Sequence, residues 1–177
     1  IPSDSLLLRR ETFIHGMITP NRLKLLVDFV GREGGGLLMI GGYMSFSGFE
    51  GKANYHFSPL AEILPIKMYG FDDRVETPEG VQPEVIDQNH PTMRGVSSDW
   101  PKFLGYNKLI SRETATIVLK NEDDPFLALW EWDNGRVAAF ASDCSPHWGS
   151  PQFLEWESYS VFWQNLISWL ANVSTNE

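Results

Sequence analysis

The sequence predicts an α/β fold, and three stretches carry the prediction. The segment "ITPNRLKLLVDFVGREGGG" reads as a helix that runs into a glycine stop. The apolar run "LLMI" follows it and is closed by Gly41-Gly42. Late in the chain, three strand-like segments lead into the amphipathic stretch "YSVFWQNLISWLAN". The chain has 177 residues, which suits one domain spanning 1–177.

In the first helix Thr19 is placed to cap the N-terminus, and Pro20 fits the first position, where a missing N–H costs nothing. Leu23, Leu26, Val27 and Val30 make one apolar stripe, and Gly34-Gly35-Gly36 ends the helix. A short strand that is apolar on both faces, as Leu37–Ile40 is, suits a buried parallel sheet. From about 45 to 108, Pro and Gly recur every few residues, so short strands and loops are expected, with a turn or two of helix over 59–64. "ATIVLK", "FLALWEW" and "RVAAFAS" read as strands. Asp133-Asn134-Gly135 between the last two supplies a tight hairpin turn through Asn-Gly. In the last helix Tyr159, Phe162, Trp163, Leu166, Ile167 and Leu170 form one broad apolar face. The tail "VSTNE" is expected to fray.

A net charge of −9 argues against nucleic acid and against anionic membranes as partners. No run of about 18 apolar residues is present to span a bilayer. The lone Cys144 excludes an internal disulfide and suits a reducing, cytoplasmic setting.

Several stretches could carry chemistry. Gly41 and Gly42 close a strand where α/β folds place their sites, and their N–H groups are candidate donors to an anion; a turn that needs glycine is the plainer reading. Ser45 and Ser47 lack a nucleophile-elbow pattern and read as loop hydroxyls, with Ser45 a candidate ligand contact. Asp72, Asp73 and Arg74, with Glu76 close by, could line a polar site or form a local ion pair. In a strand, Asp72 and Arg74 would share one face and Asp73 the other. Asn107 is a candidate for orienting a ligand, or else a turn residue. In "SDCSPHWG", Asp143 and His147 are candidate acid/base groups, and Trp148 could close over a ligand. The spacing of Cys, His and Asp matches no zinc site, so neither metal nor cofactor is expected.

The stretches "NRLKLLVDFVGREGGGLLMIGGYMSFSGFEGKA", "LPIKMYGFDDRVETPEGV", "HPTMRGVSSDWPKFLGYNKLI" and "GRVAAFASDCSPHW" together resemble the glutamine-amidotransferase-like family, a class I amidotransferase-like fold related to trehalose-utilisation-type proteins. The resemblance runs over nearly the whole chain. It implies a flavodoxin-like, doubly wound, mostly parallel sheet with helices on both faces. It also implies further N-terminal strands and helices that this chain lacks, with "IPSDSLLL" as the end of a strand and the loop after it. A sheet edge left open in this way invites a second copy or a partner segment.

The resemblance puts the thiol nucleophile of true class I amidotransferases at Gly41 or Gly42, and His147 in a place comparable to their histidine. Cys144 stands outside the family pattern of Asp143 followed by Pro146-His147-Trp148. The expectation is therefore a protein without thiol-dependent glutaminase chemistry that binds a small polar molecule at the C-terminal ends of its strands. Two alternatives stand beside it: a ligand-sensing or assembly module without catalysis, and a hydrolase or carbohydrate-processing enzyme.

Overall fold

The structure is a computed structural model and describes residues 1–173, so most of the tail expected to fray lies outside the described residues. Two short helices, α1 (Ser3–Leu7) and α2 (Arg10–His15), open the chain. The first replaces the strand end expected of "IPSDSLLL". Its Ser3 N–H donates to the Ala53 carbonyl at 2.9 Å, and Leu6 and Leu7 lean on the core, so the segment is docked as helix.

Helix α3 (Arg22–Gly31) is capped by Asn21, whose Oδ1 accepts from the N–H groups of Leu23 at 3.0 Å and Lys24 at 3.2 Å. Thr19, the expected cap, bonds the Thr12 hydroxyl instead at 2.8 Å. Asn and Thr are both good caps; the one that reaches the free N–H groups of the first turn sets the helix start. Leu23 and Val30 are fully buried on the stripe the spacing predicts.

The strands are β1 (Gly36–Ile40), β2 (Ile66–Met68), β3 (Arg74–Val81), β4 (Glu84–Val85), β5 (Phe103–Asn107), β6 (Leu109–Ser111), β7 (Thr116–Asn121), β8 (Asp124–Trp132) and β9 (Gly135–Phe140). The main sheet runs in the order β1-β9-β8-β7-β4, and two small antiparallel pairs, β2-β6 and β3-β5, stand outside it. Only β1 and β9 are parallel, with Leu37 opposite Val137 and Ile40 opposite Phe140. The other pairings in the sheet are antiparallel. This corrects the doubly wound, mostly parallel sheet that the resemblance implied. The connections from β7 to β8 and from β8 to β9 are tight turns, and a tight turn can only join antiparallel strands. In the second turn the positive φ falls on Asp133 (49°), because Gly135 is already paired with Trp132.

Helices cover both faces of the sheet. Helix α4 (Leu60–Ile63) forms where a helical turn is expected, and the Ile63 carbonyl accepts the Trp130 indole N–H of β8 at 2.8 Å. Helices α3 and α4 pack together on this face. The opposite face takes α5 (Pro151–Leu154) and α6 (Tyr159–Leu170), through Phe153, Phe162, Leu166 and Leu170. Phe140 meets the Phe162 and Trp163 rings there, Phe153 meets Trp163, and Trp100 stacks on Phe153 and meets Phe162 edge-on. Rings of this size bury much area each and give the core a rigid interior.

The parallel pair sets the position of everything that follows. The Gly41 N–H continues the ladder by donating to the Phe140 carbonyl at 2.8 Å. The loops after β1 and β9 therefore leave the sheet side by side, at the C-terminal ends of the two strands.

Candidate functional site

The loop after β1 is held by a buried carboxylate, Asp73, with the neighbouring Asp72 accepting the Glu50 N–H at 2.9 Å further along. Asp73 is 2% exposed and accepts three hydrogen bonds, from the N–H groups of Ser47 at 2.9 Å and Gly48 at 2.8 Å and from Asn107 Nδ2 at 2.8 Å. Burial pushes its carboxyl above the ordinary value, and these three donors work against that rise. Asn107, fully buried at the end of β5, accepts the Gly42 N–H on its Oδ1 at 2.8 Å. Gly42, Asn107, Asp73, Ser47 and Gly48 thus form one buried hydrogen-bonded chain.

That chain changes the expected role of several residues. The N–H of Gly41 is taken up by Phe140 and that of Gly42 by Asn107, so neither is free to meet an anion. Asp73 and Asn107 are buried braces of the loop. Ser45 sits half-buried in the same loop, its N–H bonded to the Gly42 carbonyl at 3.2 Å. The glycines themselves are sterically required. A Cβ on Gly41 would overlap the Ala141 carbonyl oxygen, and a Cβ on Gly42, whose φ is 133°, would lie 2.5 Å from Asp143 Oδ1.

The loop after β9 carries the candidate acid/base pair. His147 Nδ1 and Asp143 Oδ2 are 2.6 Å apart, so the carboxylate accepts the Nδ1 proton and leaves Nε2 as the basic nitrogen. The same Oδ2 accepts the Trp148 N–H at 3.2 Å, which fixes the carboxylate from a second side. Among the described residues His147 Nε2 has no hydrogen-bond partner in the protein. The His147 backbone has φ of 136°, a region that side chains other than glycine rarely occupy, and such conformations cost about 1–3 kcal/mol. The Tyr43 ring meets the imidazole edge-on at 5.4 Å, on the side of the β1 loop.

Trp148 is buried at 1% exposure, so it lies under the site instead of closing over it. Its indole rests on Gly105, where any Cβ would collide with the ring, and its Nε1 donates to Glu76 Oε2 at 2.9 Å. Asp72 pairs with Arg74 while Asp73 turns to the loop after β1, although both aspartates precede β3, which begins at Arg74. Arg74 grips Asp72 with two bonds of 2.9 Å and reaches Glu76 Oε1 at 3.4 Å. The guanidinium holds the Asp72 carboxyl down at about 2, and the carboxylate in turn raises the arginine. Arg74 also lies over the rings of Tyr43, 4.1 Å from its centroid, and Phe49, at 4.6 Å.

The structure therefore gathers Asp143, His147, Tyr43, Arg74, Asp72, Glu76 and Phe49 at the C-terminal end of the parallel pair. Tyr43 and Phe49 are the residues that the sequence reading passed over, since a loop aromatic is not distinguishable from a core aromatic by spacing. Glu76 was visible beside the Asp72–Arg74 pair, but its bond to an indole 72 residues away was not. Cys144 is half-buried beside Asp143, and the group it contributes is its carbonyl, which accepts from Tyr159 Oη at 2.8 Å. Among the described residues no cluster of His, Cys, Asp and Glu could hold a metal ion, and no helix is long and apolar enough to cross a membrane.

Comparison with known proteins gives a consistent pattern. The model of a family described as "Putative glutamine amidotransferase" (GATase1-like) matches residues 1–172. The structure of the cytoplasmic protein STM3548 from Salmonella typhimurium superposes with a TM-score of 0.93 and 47% identity, over 97% of this chain and 69% of that one. The cytoplasmic protein STM1381 from Salmonella typhimurium LT2 does so with a TM-score of 0.93 and 48% identity, over the same shares of 97% and 69%. The mmIFT52 N-terminal domain, 19% identical with a TM-score of 0.56, covers 90% of this chain with 74% of its own and shares the fold. No curated protein matches the chain.

Proposed function

Because the chain belongs to the GATase1-like family of glutamine-amidotransferase-like proteins, we propose that it uses the family's site without the family's thiol chemistry. In this reading the Asp143–His147 pair acts as an acid/base couple on a small polar molecule bound between the loops after β1 and β9. The observation that carries it is the 2.6 Å Asp143–His147 contact, with Nε2 unpartnered beside glycines that have no room for a side chain.

Each group has a role that follows from its surroundings. Nε2 takes a proton from the bound molecule, and the imidazolium that forms is stabilised by Asp143 at Nδ1. A positioned base of this kind contributes about 10²–10⁴-fold in rate. Tyr43, backed by the ion-paired Arg74, forms an aromatic wall beside the imidazole, suited to a polar ligand with a flat face. Gly41, Gly42, Asp73 and Asn107 serve the ligand indirectly, by holding the loop. A covalent thioester is disfavoured. A cysteine at Gly41 would have its Cβ inside the Ala141 carbonyl, and Cys144 lies on the histidine's own loop. A cytoplasmic setting accords with the two Salmonella neighbours.

The test is a thermal-shift screen of polar metabolites on the wild type, on Asp143→Ala and on His147→Asn, since a ligand that binds the native state raises Tm. The expected result is a hit whose affinity or turnover falls at least tenfold in both variants. A hit bound and processed equally by all three proteins sinks the reading. In parallel, the protein is expected to release no ammonia from glutamine. A glutaminase activity that disappears in Cys144→Ser would restore the thiol.

A further inference from the structure

We propose that the cavity between the end of α6 and the 3-10 turn Pro91–Met93 is a second binding site, for a small molecule carrying an oxyanion, phosphate or carboxylate. It lies at the other end of β9 from Asp143 and His147, because Arg136 in its wall is the second residue of that strand. The cavity holds about 330 Å³, at the small end of the range for ligand pockets. Among the described residues its lining includes two cations, Arg94 and Arg136, and no carboxylate. The whole chain has 23 acidic residues against 14 Lys and Arg, so a cavity of this sign runs against the composition.

The two arginines are held differently, and the difference suits a bound anion. Arg136 is anchored. Its Nη1 donates to the Trp169 carbonyl at 2.8 Å, its guanidinium lies over the Trp169 ring 5.1 Å from the centroid, and its Nε reaches Glu131 Oε1 at 3.3 Å. The Nη2 edge of its fork stands outside these contacts. Arg94 is exposed and forms no ion pair among the described residues. Its backbone is nonetheless fixed, since Asn165 Nδ2 donates to the Arg94 carbonyl at 2.8 Å and to the Thr92 carbonyl at 3.4 Å. His90 braces the same turn by accepting the Thr92 N–H on Nδ1 at 3.3 Å. One guanidinium is therefore set in place, and the other has its side chain free to close on the ligand. Planar forks of this kind match the oxygens of phosphate and carboxylate. Ser168 and Asn172 add a hydroxyl and an amide to the wall.

A helix C-terminus ordinarily disfavours an anion, through its unpaired carbonyls. Here those carbonyls are engaged. Ile167 accepts the Ala171 N–H at 2.9 Å, Ser168 accepts the Val173 N–H at 3.1 Å, and Trp169 accepts the Asn172 N–H at 3.1 Å besides Arg136. Arg136 also sets a full positive charge against that end of the helix.

The experiment titrates the 177-residue chain with sodium phosphate and, separately, with sodium succinate, against sodium chloride at matched ionic strength, following backbone amides by NMR. Saturable shifts are expected at Arg94, Ser168 and Asn172 with at least one of the two oxyanions and not with chloride. The tighter of the two tells a phosphate ligand from a carboxylate one. Arg94→Gln and Arg136→Gln should each weaken binding at least about tenfold, the worth of a hydrogen bond to a charged group. Arg94→Gln is the cleaner arm, because that side chain is exposed and breaks no ion pair of the described residues. Glu131→Gln releases the Arg136 Nε and should tighten binding. Lys67→Gln removes a positive charge from an exposed position on β2 and should leave binding unchanged. The lack of a saturable shift with either oxyanion overturns the proposal. So does binding that keeps its full strength in Arg94→Gln, or that weakens in Glu131→Gln. A loss in Lys67→Gln equal to that in Arg94→Gln overturns it too, since the response would then be to net charge alone.

Discussion

Replacing Asp73 by alanine removes the buried carboxylate at the centre of the network that holds the loop after β1. Three donors lose their partner: the N–H groups of Ser47 and Gly48 and the Asn107 amide. Each buried donor left unpaired costs about 1–3 kcal/mol. Removal of a buried charge offsets part of this, because burial already pushes the Asp73 carboxyl up. A net loss of about 3 kcal/mol follows, taking the lower end of the range for each donor. In urea, with a slope of about 2 kcal/mol/M, the midpoint should fall by about 1.5 M. Circular dichroism would follow the unfolding. Asn107→Ala supplies the second arm of a double-mutant cycle, because Asn107 joins Asp73 to Gly42. The two changes should couple by at least about 1 kcal/mol, as contacting members of one network do. A midpoint shift below about 0.3 M, or strict additivity with Asn107→Ala, would refute the claim that this carboxylate organises the loop.

Gly41→Cys should destabilise the fold by about 3 kcal/mol or more and gain no glutaminase activity, because its Cβ meets a backbone oxygen that cannot swing away; thermal melts and an ammonia assay check both halves. His90 is lowered by burial from its ordinary 6.5, so the unfolded chain takes up its proton first. Its contribution is complete above pH 6.5 and declines as pH falls through the lowered value; Tm should drop over that window, and less steeply in His90→Asn. Asp72 is held at about 2 by Arg74, so its contribution is present above pH 3.8 and lost as pH falls toward 2, and Asp72→Asn should flatten that acid limb in a fluorescence titration. Tyr106→Phe should cost about 1–2 kcal/mol by urea unfolding, since its buried hydroxyl donates to Asp124 and accepts from Asn121.

Local pattern made much of this fold legible. The apolar stripe of α3, the run that became β1, the turn of helix at α4 and the broad face of α6 each announce themselves within one short window. The split of Asp72 and Arg74 from Asp73 matches the expected partition, although the strand itself begins only at Arg74. Strand direction was not legible. Strands β8 and β9 are buried from both sides by helices, so they carry the same apolar runs that a parallel sheet would. The role of the glycines was equally hidden, because whether an N–H is free depends on Asn107, 65 residues away from Gly42. Trp148 looked like a lid because Pro146 and His147 precede it in a loop. Its burial depends on the absence of a side chain at Gly105, which no local window reveals.

The backbone at His147 has a consequence for how this protein can change. A φ of 136° is a conformation in which glycine is the relaxed residue and histidine is not. Random substitution under pressure for stability alone would therefore drift toward glycine at this position, and His147→Gly should raise the melting temperature if the imidazole does nothing. The imidazole sits where the chain would be more comfortable without it. The hydrogen bond to Asp143 works against that discomfort, and the change in melting temperature on His147→Gly measures the balance of the two.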